Sequence, residues 1–471
     1  MISSEPTAER PNRIDALAIV ALTLVLLLPA FANGFPLVFP DSGTYLDIAF
    51  GPEYAVDRSS FYGFFLKPLV ALGADSTGLW IAIAVQAALV ALCLWGVARA
   101  LGLGGKGTLA VIAGVAALTS LPWHAGQFMP DAFTGAVLLT AWLASIRDPA
   151  DNGALLLWLA AILAALMHYT HLPLLLLAAL ASIAGQMLAG LPLRAAFRRG
   201  VAAIIAVALT ASIQLGANAL ILHRASVSPM GPLFLFARLN EDGLIPAWLE
   251  RHCGKDAPPE LCAIAPSLPR DSQALLWDFE QSPMDEMVFH PTDPAERWKW
   301  IERMDAANRG AIAEAPLGFV AGSLRGAANQ FIHFQAVDDL CPVGCRSLSG
   351  GVAYSLQRYR PATVPTLHAS MQAQGSTPKA LIRAVTTPIA AAALLLLPWL
   401  GWRAWRRRDG PALALVGALT VGLLVNAALG GALSDVQDRY QSRLVWLAPM
   451  VAAMLAMRWR SKSEASAAET N

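Results

Sequence analysis

Side chains able to do acid, base or phosphate chemistry stand at the edges of long apolar runs in four stretches. The first is Phe39-Pro40-Asp41-Ser42-Gly43-Thr44-Tyr45-Leu46-Asp47, and the second is Asp57-Arg58-Ser59-Ser60-Phe61-Tyr62-Gly63-Phe64-Phe65-Leu66-Lys67-Pro68. The third is Trp123-His124-Ala125-Gly126-Gln127-Phe128-Met129-Pro130-Asp131, and the fourth is Asp438-Arg439-Tyr440, with Arg443 close behind. A carboxylate such as Asp41 or Asp131 can take the proton of an attacking hydroxyl, or steady positive charge on a reacting centre. Arg58, Lys67, Arg439 and Arg443 are the cations that a departing phosphate needs, and the last two, four apart, share one face of a helix. Tyr62, His124 and Tyr440 add hydrogen-bonding groups beside them. Each of these residues also has a purely structural reading. Asp41 after Pro40 and Asp131 after Pro130 suit the first turn of a helix, where a carboxylate caps the backbone or meets the dipole. Aromatic and basic residues at a membrane boundary are common anchors. His124, His168 and His171 offer a metal or acceptor site, against the plainer reading of polar lining.

Apolar helices must position these stretches. Of 471 residues, 14% are charged and 56% hydrophobic, against roughly a quarter charged in a soluble chain, and mean hydropathy is +0.51. Such a chain needs lipid as its solvent, and nothing in it points to nucleic acid. Apolar runs of about 20 residues, the length that crosses a bilayer, lie near 14–33, 77–99, 107–121, 131–146, 154–169, 172–190, 200–222, 380–402, 411–432 and 443–458. The fold class is therefore an all-α polytopic membrane protein with about ten transmembrane helices. The first run is too long for a cleaved signal peptide and leads directly into the Asp41 stretch, so it stays as a span.

Basic residues give an independent check on the order of the spans. With the N-terminus inside, the cytoplasmic pieces carry Arg10 and Arg13, Arg99 and Lys106, Arg147, then Arg194, Arg198 and Arg199. Further on they carry Arg403, Arg406, Arg407 and Arg408, then Arg458, Arg460 and Lys462, as the positive-inside rule requires. A re-entrant hairpin or one broken helix would also fit the hydropathy of 154–169 and 172–190, but one crossing there would put Arg198 and Arg199 outside, so the two are counted as separate spans. Two segments are then long and outside: a first outer loop, 34–76, with interfacial helices, and a periplasmic soluble domain, 223–379. The chain divides into 1–222, 223–379 and 380–471. Cys253 with Cys262, and Cys341 with Cys345, are close pairs on the oxidising side and are expected as two local disulfides; Cys93 lies in a span as packing. The polar tail Ser463–Asn471 is expected to be disordered.

In order and in sidedness, the Asp41 segment, the Arg58 to Pro68 segment, the Pro130-Asp131 pair and Asp438-Arg439-Tyr440 resemble the GT-C superfamily of polyprenyl-phosphate-sugar-dependent glycosyltransferases. Protein O-mannosyltransferases and the aminoarabinose transferase of lipid A belong to that superfamily. The resemblance is best over the first seven spans. It implies an inverting transfer of sugar from a polyprenyl-phosphate donor to a lipid, glycan or protein acceptor, on the periplasmic side of a bacterial inner membrane. Asp41 is then the base and Asp131 the second carboxylate, with the two roles open to exchange. Arg58, Lys67, Arg439 and Arg443 would hold phosphate, with Tyr62, His124 and Tyr440 beside them. No cofactor is certain, a divalent cation being the one option. Where family members often carry two adjacent acids in the first loop, here Ser42 follows Asp41 and Asp47 is the next acid. A flippase or transporter for a lipid-linked saccharide is the main rival, but repeated halves and charged mid-membrane segments do not appear. A saccharide polymerase or ligase would instead rely on basic residues of the long outer segment, and a non-enzymatic assembly factor would need none of these acids.

Overall fold

The computed structural model describes residues 13–338, 340 and 351–469, and among them every regular element is a helix. In chain order, α1 (Arg13–Asn33) is followed by two short helices, α2 (Ser42–Phe50) and α3 (Phe61–Val70), then α4 (Thr77–Ala100) and α5 (Gly105–Ala117). A brief α6 (Leu121–Ala125) precedes α7 (Ala132–Ser145), α8 (Asn152–Leu166), α9 (His171–Leu188) and α10 (Leu193–Ile221). Next come α11 (Gly231–Glu241), α12 (Leu244–His252), α13 (Pro259–Ile264), α14 (Ser272–Trp277), α15 (Pro294–Glu314) and α16 (Pro316–Ile332). The chain closes with α17 (Gly351–Tyr359), α18 (Val364–Ala369), α19 (Lys379–Arg406), α20 (Gly410–Leu433), α21 (Asp438–Val445) and α22 (Leu447–Glu469).

Six helices, α1, α4, α9, α10, α19 and α20, are long and apolar enough to cross a membrane, with mean hydropathies between 1.7 and 2.5. Large apolar side chains stand open on their outer surfaces, among them Leu17, Leu24, Ile204, Leu220, Leu395 and Trp399. A water-soluble protein does not leave such stripes uncovered, so this is a helical membrane protein. The expected spans 107–121 and 131–146 emerge as the shorter apolar helices α5 and α7. Between them the chain leaves the helix at Leu118 and crosses the end of the bundle. The break expected between 154–169 and 172–190 is present, at the turn between α8 and α9. Near the C-terminus the order differs from expectation: a break at Trp446 separates α21 from α22, and α22 continues to Glu469 where a disordered tail was expected from Ser463.

Polar pairs mark the two ends of the bundle. At one end Arg458 holds Asp409 at 2.8 and 2.9 Å and donates to the Leu101 carbonyl, while Trp95 donates to Asp15 at 2.8 Å. The opposite end gathers the first loop, the 118–131 crossing and α21.

Side chains from residues 223–379 enter two separate cores. Helices α11 to α15 enclose a core of their own around Phe236, Leu249, Leu276 and Met304, braced by the Cys253–Cys262 disulfide. Cys341 and Cys345, like Arg10, lie outside the described residues. Helix α16 packs instead on α20, and α17 and α18 send Val352, Leu356 and Leu367 into the main core. Beyond them, Gln372 takes the Val38 N–H at 3.1 Å and donates to its carbonyl, and its own N–H meets Asn33 Oδ1 at 2.7 Å. The first loop is thereby clamped from a segment more than 300 residues away. Gly43 is required here, because a Cβ on it would stand 2.7 Å from the Gly351 backbone of α17.

Asp47, on α2 beside α17, has a carboxyl pushed up to about 6 by burial, with Glu53 adding to the rise and Ser355 and Arg358 opposing it. Its ionised form is less welcome in the folded protein than in the unfolded chain, so the stability it contributes is complete below about pH 4 and is lost as pH rises through about 6. Asp47→Asn should flatten this part of the dependence. The check is the difference in thermal midpoint between wild type and variant in detergent across that window; a constant difference would exclude the effect.

A charge cluster at one end of the bundle

Both candidate carboxylates occupy helix N-cap positions, Asp41 for α2 and Asp131 for α7, yet neither makes a side-chain capping bond. Other aspartates in the chain do: Asp151, Asp271 and Asp293 each accept from a backbone N–H of the helix they precede. Asp41 and Asp131 are turned elsewhere. Asp41 Oδ1 meets Arg58 Nη1 at 2.9 Å and its Oδ2 meets Arg439 Nη1 at 3.4 Å. Asp131 Oδ1 meets Arg443 Nη1 at 3.1 Å.

Ser42 makes that turn of Asp41 feasible, since its hydroxyl accepts from the Phe39 N–H at 2.9 Å and donates to the Phe128 carbonyl at 2.8 Å. A short bridge between Leu37 and Gln127 extends the stitching, with the Leu37 N–H on the Gly126 carbonyl and the Phe128 N–H on the Leu37 carbonyl, each at 2.9 Å. Beneath it, Gln86 of α4 donates to the Ala125 and Gln127 carbonyls at 2.9 and 2.8 Å. The Arg58 stretch is tied down independently: Tyr169 donates to the Arg58 carbonyl at 3.1 Å, and Ser59 donates to the Leu166 carbonyl at 2.6 Å.

Aromatic faces and neutral oxygens complete the settings of the guanidinium groups. Arg58 also binds Asp57, at 3.0 and 2.5 Å, and lies 5.7 Å from the centre of the Tyr45 ring. Arg439 lies 3.9 Å from the centre of Phe39 and 5.2 Å from that of Tyr440. Arg443 donates to Asn426 Oδ1 at 2.9 Å and to Thr170 Oγ1 at 3.2 Å. Three acids, Asp41, Asp57 and Asp131, thus face three arginines. Exposure falls inwards: the Asp41 side chain is 25% exposed, Arg58 12% and Arg439 11%, whereas Arg443 and Asp131 are 2% and 1%. Water reaches the outer pair and not the inner one. Burial would raise the Asp41 carboxyl, but Arg58 and Arg439 outweigh it and hold the group below the usual carboxylate range, so it is ionised.

His124 Nε2 lies 3.0 Å from Ser442 Oγ, and that hydroxyl donates to the Arg439 carbonyl at 3.2 Å. Burial draws His124 down to about 4, so it is neutral at physiological pH. It borders a small pocket of about 20 Å³ shared with Trp123, Gln127, Arg439 and Ser442. Two buried atoms of the cluster, His124 Nδ1 and Asp131 Oδ2, have no hydrogen-bond partner among the described residues. His171 is fully engaged: Nδ1–H donates to the Ala164 carbonyl at 3.0 Å, which leaves Nε2 to accept from Thr134 at 2.9 Å. His168 Nδ1 accepts from the Thr170 N–H at 3.2 Å. Among the described residues no group of three or more His, Cys, Asp or Glu side chains is arranged to hold a metal ion.

The fold brings together Asp41, Arg58, Asp131, His124, Arg439, Tyr440 and Arg443. Two candidates stay apart from them. Tyr62 is fully buried, edge-on to Tyr45 at 4.9 Å, and donates to Gln86 at 2.7 Å, which braces the loop. Lys67 is on the solvent side of α3, with Nζ 3.4 Å from the Gly51 carbonyl. Asp57, Ser442 and Asn426 are site residues that sequence reasoning missed. Asn426 carried a signal, being a lone amide in an apolar span; Asp57 and Ser442 carried only adjacency to arginines. No family model matches this chain, and neither does any curated protein or solved structure.

Removing one member of a buried ion pair strands the other, at a cost of roughly 3–5 kcal/mol. Arg443→Met should therefore lower the thermal midpoint in detergent sharply, and adding Asp131→Asn should recover much of the loss. Equal midpoints for the single and double variants would show that the two groups are not coupled.

Proposed function

We propose that this chain is an inverting glycosyltransferase that uses a polyprenyl-phosphate sugar, with Asp41 as base and Arg58 and Arg439 as holders of the phosphate. The observation that carries this reading is Asp41 bridged by two arginines, one from the same loop and one from α21, in a partly open position at the end of an apolar bundle. A phosphate entering there competes with the carboxylate for both guanidinium groups. As the arginines turn to the phosphate, Asp41 loses the charges that depress its basicity and can accept a proton.

The acceptor hydroxyl gives its proton to Asp41, and its oxygen bonds to the anomeric carbon on the face opposite the phosphate. The carbon–oxygen bond to phosphate breaks, and the electron pair stays on the phosphate, whose charge the arginines offset. Asp131, sealed from water, acts through Arg443, which it holds in place. The small pocket beside His124 has room for about one water-sized group, such as a single hydroxyl. The basic end of the bundle is assigned to the cytoplasm, which puts the cluster on the periplasmic face of a bacterial inner membrane, with ten crossings and the α11–α15 unit outside.

The test is a reconstituted assay with candidate polyprenyl-phosphate sugars, reading release of the lipid phosphate. Asp41→Asn should lower the rate at least about a hundredfold, the usual weight of a positioned base. Lys67→Ala should stay within about twofold of wild type, since it removes no group near the charge under attack. Release by Asp41→Asn equal to that of wild type would reject Asp41 as base.

A further inference from the structure

Helix α16 presents three different stripes. Gly322, Gly326 and Gln330 form the packed one. A Cβ on Gly326 would stand 1.9 Å from the Gly431 carbonyl oxygen of α20, and a Cβ on Gly431 would stand 2.0 Å from that of Gly326, so the two backbones touch. Gln330 locks this contact by accepting from the Gln437 N–H at 2.9 Å and donating to its carbonyl at 2.7 Å. Away from α20, Leu317, Val320, Leu324 and Ile332 are 83%, 51%, 66% and 66% exposed. The third stripe, Arg325, Asn329 and His333 at four-residue spacing, lines a recess of about 490 Å³ whose other wall holds Arg238, Glu241 and Asp242. Arg238 already pairs with both acids, at 3.3 and 2.6 Å. Arg325 has no ion-pair partner among the described residues and is the spare cation of the recess.

We propose that α16 is a lipid-binding helix: its apolar stripe rests among acyl chains, and the recess takes the phosphate headgroup of an anionic phospholipid. Glycine-to-glycine packing on a spanning helix is a contact suited to membrane interiors, where small residues let backbones approach. On α20, Leu424 lies two turns before Gly431 on the same side of the helix and is also open, at 55% exposed. A spare arginine beside such a stripe is what an interfacial helix uses to meet an anionic headgroup. Arg325 donates to the phosphate, and the Asn329 side-chain amide adds a second donor; His333, whose Nδ1–H is given to the Asn329 backbone carbonyl at 2.7 Å, offers Nε2 to accept from a headgroup hydroxyl. This assignment stands whether or not the chain transfers sugars.

The test uses the full chain in nanodiscs of phosphatidylcholine and phosphatidylglycerol. A bimane label on Leu324→Cys, corrected for the signal of the protein without that cysteine, should be quenched by brominated lipid and spared by aqueous iodide. In detergent with added phosphatidylglycerol, native mass spectrometry should show lipid adducts on wild type and about fivefold fewer on Arg325→Ala, the weight of one basic residue at an anionic surface. Arg325 is exposed, so the variant is expected to keep the wild-type thermal midpoint. Quenching by iodide alone, or equal adduct retention by Arg325→Ala, would overturn the proposal. Displacement of the adducts by inorganic phosphate at millimolar concentration would also overturn it, showing a site for free phosphate with no part for the acyl chains.

Discussion

A charge removed from water must be paired, and near a membrane the requirement is strictest because water is scarce and every uncompensated ion is costly. This constraint organises the end of the bundle where the loops meet. Asp131 and Arg443 are almost completely enclosed, so each can exist there only because the other does. Their pairing ties the first turn of α7 to α21, which in turn carries Arg439 to Asp41. Loss of the inner pair would loosen the outer one, although only the outer pair is open to a ligand.

Neutral polar groups inside the apolar helices do the rest of the bracing. Gln86 in α4 holds the 125–127 backbone and the Tyr62 hydroxyl, and Asn426 in α20 holds Arg443. Gln214 and Asn218 of α10 reach Ser59 and Tyr169 beside Arg58. Each is an amide buried where hydrogen bonds cannot be exchanged with water, so each fixes its partner firmly. The Arg443 guanidinium and the backbone that carries Arg58 are held in set positions by these amides.

Much of the molecule could be read from residue order. Long apolar runs with basic flanks foretold the long apolar helices and the separation of α8 from α9, and the close spacing of Cys253 and Cys262 foretold their disulfide. The candidate acids and arginines were identifiable as rare charged residues at the ends of those runs. Tyr62 and Lys67 looked equally suitable, because an aromatic and a lysine at a boundary carry no mark of the direction in which they point. The helical rotation of α3 separated them from Arg58, turning Tyr62 inward and Lys67 to solvent. Residues 223–379 read as one polar segment, since mixed composition hides which helices share a core. Close backbone contact at Gly326 and Gly431 divided them, and glycine spacing alone does not name the partner helix.

The sequence by itself determined that the chain dissolves in lipid and where its scarce charges fall, because hydropathy and charge are properties of residues taken one at a time. Only the tertiary structure decided that Asp41 forgoes its helix to meet arginines 17 and 398 residues away. A cap and an ion pair ask for the same carboxylate. The choice between them depends on which cations the folded helices bring within reach, and that is a property of distances in space.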